Sequence, residues 1–278
     1  MPQRLLQSIT GFQGVANSAT GTLNLPPNQR YHGLTLFLTV AGVAAAVNTV
    51  ASNLKLKVGG VTIRDMSPQQ CVDIAESYGL APAVGELPIF FSEPWFDDPA
   101  VGEMFSWDMV GQGDFVLEMT FLNPGGGAVG VANVVAEVDT IRNEIFDRRL
   151  GKRVPFLRIL KMKNQTALFG GAGVASITTL DRSLPIRRLL MTASAGTIST
   201  VEVIGDSISL WNQISPTQLN DILEHKGIDG SQFSASLIFD YDLLGRSKLE
   251  VGNLEVKVNP SAANTLTVLN VQEAMSFA

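Results

Sequence analysis

Hydrophobic and polar residues alternate along much of this chain with a period of two, the mark of strands that bury one face. Leu34, Leu36, Leu38 and Val40 keep that period, and Leu54, Leu56 and Val58 alternate with Lys55 and Lys57. Leu117, Met119 and Phe121 alternate with Glu118 and Thr120. Further on, Phe233, Ala235, Leu237, Phe239 and Tyr241 form a long row, and Leu254, Val256 and Val258 alternate with Glu255 and Lys257. Turn chemistry punctuates the runs at Gly59-Gly60, Gly111-Gln112-Gly113, Asn123-Pro124 and Gly205-Asp206. Many short strands at even spacing predict a sandwich or a jelly roll.

Few segments read as helix, and two of them are copies. Ser67-Pro68-Gln69-Gln70-Cys71-Val72-Asp73-Ile74 returns as Ser215-Pro216-Thr217-Gln218-Leu219-Asn220-Asp221-Ile222, with five of eight positions identical at an offset of 148. Each copy has Ser where an N-cap belongs and Pro at the first helical position, where its missing N–H costs nothing. Gly79 and Gly227, again 148 apart, stand where a helix end favours a left-handed residue. The apolar face Cys71, Ile74, Ala75 and Tyr78 is matched by Leu219, Ile222 and Leu223.

The flanks repeat as well. An alternating strand, a Gly turn and a second strand precede each helix, over Leu54 to Ile63 and Val201 to Leu210. Asn123-Pro124 and Asn259-Pro260 follow, each leading to a last strand, Val134 to Val138 and Leu266 to Leu269. The offset there is 136, so the first copy carries an insertion, expected in the loop from Ser92 to Ser106. A repeat this long is a duplicated domain and not a solenoid unit.

The expected fold class is therefore all-β, two tandem jelly-roll β-sandwiches with a short helix in each. The first is expected over 1–145, with an N-terminal arm over 1–22, and the second over 146–278. Between them lies a basic connector, about 142–163, holding Arg142, Arg148, Arg149, Lys152, Arg153, Arg158, Lys161 and Lys163. It reads as a solvated connector partnered by Glu144, Asp147 and other carboxylates, or alternatively as a patch that meets phosphate of lipid or genome.

Composition sharpens the picture. Charged residues are only 17% and hydrophobic ones 45%, which suits a molecule that covers much of itself with neighbours. A net charge of −6 argues against a grip on nucleic acid. Residues 1–30 hold no apolar signal core. The uncharged stretch Leu34 to Leu54 approaches membrane-span length, but Thr35, Thr39, Asn48, Thr49, Ser52 and Asn53 and its two-residue period predict a strand followed by an Ala-rich loop.

Candidate chemistry is sparse. The two histidines, His32 and His225, fall in different halves and cannot supply a metal-dependent double barrel. Cys71 sits on the apolar helix face and reads as a buried structural thiol. No nucleophile elbow or phosphate-binding loop is present, and Gly125-Gly126-Gly127 and Gly170-Gly171 read as loops. Asp97-Asp98 with Glu93 could hold a structural calcium ion, although a solvated acidic loop is the simpler reading. No catalytic, cofactor-binding or metal residue is assigned, and no cofactor is expected.

The opening Leu25-Pro26-Pro27-Asn28-Gln29-Arg30-Tyr31, the strand Leu34 to Val40, and Leu54 to Ile63 with its Gly59-Gly60 hairpin carry a resemblance. Together with the duplicated jelly roll, they resemble the double jelly-roll major capsid proteins of icosahedral double-stranded DNA phages with an internal membrane, the corticovirus and tectivirus type. The resemblance implies a non-enzymatic coat protein whose homotrimer presents six barrels as a pseudo-hexameric capsomer. It further implies neighbouring capsomers and minor capsid or vertex proteins as partners, assembly in the host cytoplasm, and residence in the virion. The arm Met1 to Thr22 would then reach the internal membrane or a neighbour. Arg4 is its one charged side chain, which favours packing on neighbours. The competing class is a phage spike, tail or carbohydrate-binding tandem sandwich. Its candidate aromatics are Trp95, Trp107 and Trp211, with Trp95 and Phe96 expected to be the exposed ones. A hydrolase on a double jelly roll is a third class, disfavoured by the missing base–nucleophile pair.

Overall fold

The computed structural model describes residues 4–96, 102–225, 236–240 and 248–277. Two compact units result: residues 1–72, 81–161 and 274–278 form the first, and residues 73–80 and 162–273 the second. The division at Lys161/Met162 falls inside the basic segment, and a second division runs through the first Ser-Pro helix.

In the first unit eight principal strands occur in the order Leu5–Ser8, Thr20–Leu25, Arg30–Val40, Ala51–Val58, Val61–Met66, Glu86–Phe90, Phe115–Phe121 and Val129–Asp139. The first, eighth, third and sixth are neighbours in one sheet; the fifth, fourth, seventh and second are neighbours in another. Apart from the fourth–fifth hairpin, consecutive strands thus switch sheets, which is the jelly-roll connection. The short strands Val43–Ala44 and Trp107–Asp108 also pair with the third. The pleat explains the core. Phe115, Leu117, Met119 and Phe121 are buried at every second position, as are Leu34, Leu36 and Leu38, and Leu54, Leu56 and Val58. At Gly21 a Cβ would lie 2.8 Å from the rings of Phe12 and Phe121, so the strand needs a bare backbone there.

The second unit repeats that order with Ile159–Phe169, Ala175–Ile177, Ile186–Ala193, Ile198–Gly205, Ile208–Ile214, Ser236–Asp240, Leu254–Pro260 and Asn264–Ala274. Its first, eighth, third and sixth strands again share one sheet, and its second, seventh, fourth and fifth the other. Leu254, Val256 and Val258 are buried against the alternating exposure of Glu255 and Lys257. The chain is all-β with tandem jelly rolls, as the alternation predicts.

Both helices, Pro68–Ser77 and Pro216–Glu224, connect the fifth strand to the sixth. Ser67 and Gln70 form a reciprocal capping box. The Gln70 N–H donates to Ser67 Oγ at 3.2 Å, and the Ser67 N–H donates to Gln70 Oε1 at 2.8 Å. Ser215 and Gln218 do the same at 3.3 and 2.9 Å. Gly79 is left-handed, with φ of 75°, as the C-terminal signal requires. Gly227 and most of the row Phe233 to Tyr241 lie outside the described residues, although Ser236–Asp240 is a strand.

Four local expectations change. The described part of the arm is folded: Leu5–Ser8 pairs with Val135–Val138, because an extended Leu-Leu-Gln-Ser completes an otherwise open sheet edge. The connector is not an open linker; Glu144–Asp147 and Lys152–Pro155 form a hairpin, and Ile159 already begins a strand. Between Val40 and Leu54 the chain makes a short strand and the one-turn helix Val47–Val50 in place of a plain loop. The second hairpin turns at Asp206-Ser207, both left-handed, one residue beyond the expected Gly205-Asp206 pair.

Candidate functional site

Among the described residues, a buried charge network lies at one end of the first jelly roll. Arg30 begins the third strand and Asp139 ends the eighth, so the antiparallel register sets them opposite one another. Arg30 Nε donates to Asp139 Oδ1 at 2.9 Å and Nη2 donates to Oδ2 at 2.5 Å. His32, two residues along and on the same face, lies 2.9 Å from Asp139 Oδ2 through Nε2. Arg30 also reaches Asn143 Oδ1 at 3.0 Å and Glu103 at 3.3 Å. Arg4 closes the outer side on Glu103 and Glu137. Next to it, Asp108 Oδ2 accepts from Arg142 Nε and from the Asn143 N–H, while Asn143 Nδ2 donates to the Ser106 carbonyl.

The electrostatics are those of a structural clasp. Burial pushes the Asp139 carboxyl up, but the hydrogen bonds from Arg30, His32 and the Ile141 N–H outweigh it and hold the group below the usual carboxylate range. Burial pushes His32 down, reinforced by the charges of Arg4 and Arg30 and opposed by Asp139. A neutral His32 donates Nε2–H to Asp139, which leaves Nδ1 as an acceptor with no protein partner among the described residues. A His–Asp pair alone performs no acyl transfer, since that chemistry needs a nucleophile on the free imidazole nitrogen. The neighbouring hydroxyl of Ser92 donates to the His32 main-chain carbonyl.

Beneath this clasp the core is aromatic. Trp107 is fully buried against Phe91, Phe115 and Phe277, with centroids 4.6, 5.5 and 5.1 Å away. The buried Arg64 guanidinium lies 5.0 Å from the Trp107 ring and donates to the carbonyls of Phe90 and Leu160.

Those positions decide the aromatic candidates. Trp107 and Trp211 are buried, and half-buried Trp95 packs edge-on to Phe90 at 5.6 Å, so the three do not form an exposed sugar platform. Phe96 is also half-buried. Cys71 is buried, as its helix face predicts, and His225 is exposed. Asp97-Asp98 lie outside the described residues. Among the described residues no group of three or more His, Cys, Asp and Glu side chains is arranged to hold a metal, and no helix is long and apolar enough to cross a membrane.

Sequence reading missed the clasp, because Arg30 and Asp139 are far apart in the chain. It also missed Arg187 and Arg188, buried in the strand Ile186–Ala193. Arg187 approaches Glu273 at 3.7 Å, and Arg188 stacks 5.1 Å from the Tyr78 ring. The paired charge they need is visible only after folding.

Several charged groups are thus buried in pairs, while some large apolar side chains are exposed. Leu5, Leu6, Phe146, Leu150, Leu168 and Ile208 are all more than half exposed.

This architecture defines the class: a double jelly roll with no assembled catalytic centre among the described residues. Residues 6–133 match the viral coat protein P2 N-terminal domain family. No curated protein sequence matches the chain. Among solved structures, the major capsid protein P2 of bacteriophage PM2 superposes with a TM-score of 0.79 at 14% identity, covering 98% of this chain and 97% of that one. The STIV major capsid protein, from Sulfolobus turreted icosahedral virus, gives 0.70 at 13% identity, over 99% and 98%. The PBCV-1 virus capsid gives 0.64 at 10% identity, over 98% and 94%. Residues 6–133 are thus similar to the P2-type coat-protein domain, and the whole chain has the double jelly-roll fold seen in viral major capsid proteins.

Proposed function

We propose that this chain is the major capsid protein of an icosahedral virion with an internal membrane, acting as a structural subunit and not as an enzyme. One observation carries the reading: the same eight-strand order occurs twice in one chain, in a fold that covers nearly the full length of known capsid subunits. Three such chains around a three-fold axis present six similar barrels, which suits packing on a hexagonal lattice. The domains are the two tandem jelly rolls, with their boundary inside the basic segment 142–163. The partners are further copies of this chain, neighbouring capsomers and minor capsid or vertex proteins, with assembly in the host cytoplasm. The segment 1–22, with exposed Leu5 and Leu6 on its strand, packs on neighbours more readily than on lipid headgroups, since its charged Arg4 is already engaged.

Size-exclusion chromatography with light scattering tests this. A particle of three chains, stable on dilution, is expected. A stable monomer that binds glycans would return the chain to the spike or lectin class.

A further inference from the structure

The hairpin Glu144–Asp147/Lys152–Pro155 is an unusual object for a free surface. Its cross-strand pairs are Glu144 with Pro155, Ile145 with Val154, Phe146 with Arg153 and Asp147 with Lys152. Side chains of successive pairs point to opposite faces. Ile145 and Phe146 are therefore exposed on opposite sides, at 47% and 62%, and Leu150 stands at the tip at 61%. Isolated two-stranded hairpins are marginal in water, and covering by another surface is the usual remedy.

Charge says what covers it. Arg148, Arg149, Lys152 and Arg153 are exposed and make no ion pair among the described residues. Arg142, by contrast, is bound to Asp108, and Arg158 packs over the Phe105 ring. The segment 144–155 holds four cations against Glu144 and Asp147, a net of +2, so the chain's −6 leaves −8 on all the rest. A second copy of this chain is thus an acidic partner for a basic, apolar finger. Arg and Phe are also the residue types enriched in protein interfaces.

We propose that this hairpin is an assembly arm that docks on the acidic surface of a second copy of the chain, with Phe146 and Leu150 as anchors and the four cations steering and holding register. The inference rests on the coat-protein reading and adds the element that makes the contact.

The test uses the full chain. Its only cysteine, Cys71, is buried, so Leu150→Cys accepts a maleimide photo-crosslinker selectively. Isotope-labelled and unlabelled chains are mixed before assembly, and cross-linked peptides are read by mass spectrometry. Links from position 150 between labelled and unlabelled chains are expected. Arg148→Glu with Arg149→Glu should weaken self-association by roughly tenfold or more, with unchanged circular dichroism. An intact oligomer whose position 150 gives no interchain link overturns the arm and leaves the coat reading standing. Capture of the label by phosphatidylglycerol vesicles, without interchain links, assigns the finger to lipid and also overturns it. A chain that stays monomeric at every salt concentration overturns both readings.

Discussion

Arg30 and Asp139 face each other across two antiparallel strands and join through two hydrogen bonds in a site where their side chains are 6% and 3% exposed. The pair ties the start of the third strand to the end of the eighth, just before the chain leaves for the basic hairpin. Removing one partner strands a buried charge, so Asp139→Ala should destabilise the protein by about 3–5 kcal/mol in urea unfolding. A cost under about 1 kcal/mol would mean that water already reaches the pair.

The same clasp predicts acid sensitivity. The folded chain holds Asp139 below the usual carboxylate range, so its contribution is complete above the unfolded value and is lost as pH falls through the folded one. His32 is also pushed down, so the unfolded chain takes up that proton first, and stability falls as pH drops below about 6.5. Both effects have one sign. The melting temperature should fall between pH 7 and pH 5 by less in His32→Gln than in the parent chain. An equal fall in both would remove His32 from the account.

The duplicated capping boxes give a paired prediction. Ser67→Ala and Ser215→Ala should each cost about 1 kcal/mol by chemical denaturation, because each removes one of two reciprocal bonds. No loss in either variant would show that the repeat preserves sequence without preserving the cap.

Phe277 packs against Trp107 at 5.1 Å, returning the chain's last turn to the first jelly roll. Phe277→Ala should destabilise by about 3 kcal/mol or more and shift tryptophan emission to the red. An unshifted spectrum would place the C-terminal segment elsewhere.

Much of this fold is legible in the sequence because its strands bury one face. Leu54 to Val58 and Leu254 to Val258 show their core side by alternation alone, and the Ser-Pro motif marks both helices. Ile186–Ala193 is silent for a physical reason: its first six residues are all buried, including Arg187 and Arg188, so no period survives. The clasp is equally silent, since it depends on a strand register that brings residues 30 and 139 together. Charge counting along 142–163 showed a basic run but not its division, with Arg142 and Arg158 engaged in the fold and the hairpin cations left outside.

Electron microscopy of the purified oligomer examines the coat assignment at its root. Averaged particles should show a three-fold axis ringed by six similar lobes, two from every polypeptide. Single two-lobed molecules, or pairs related by a two-fold axis, would contradict it.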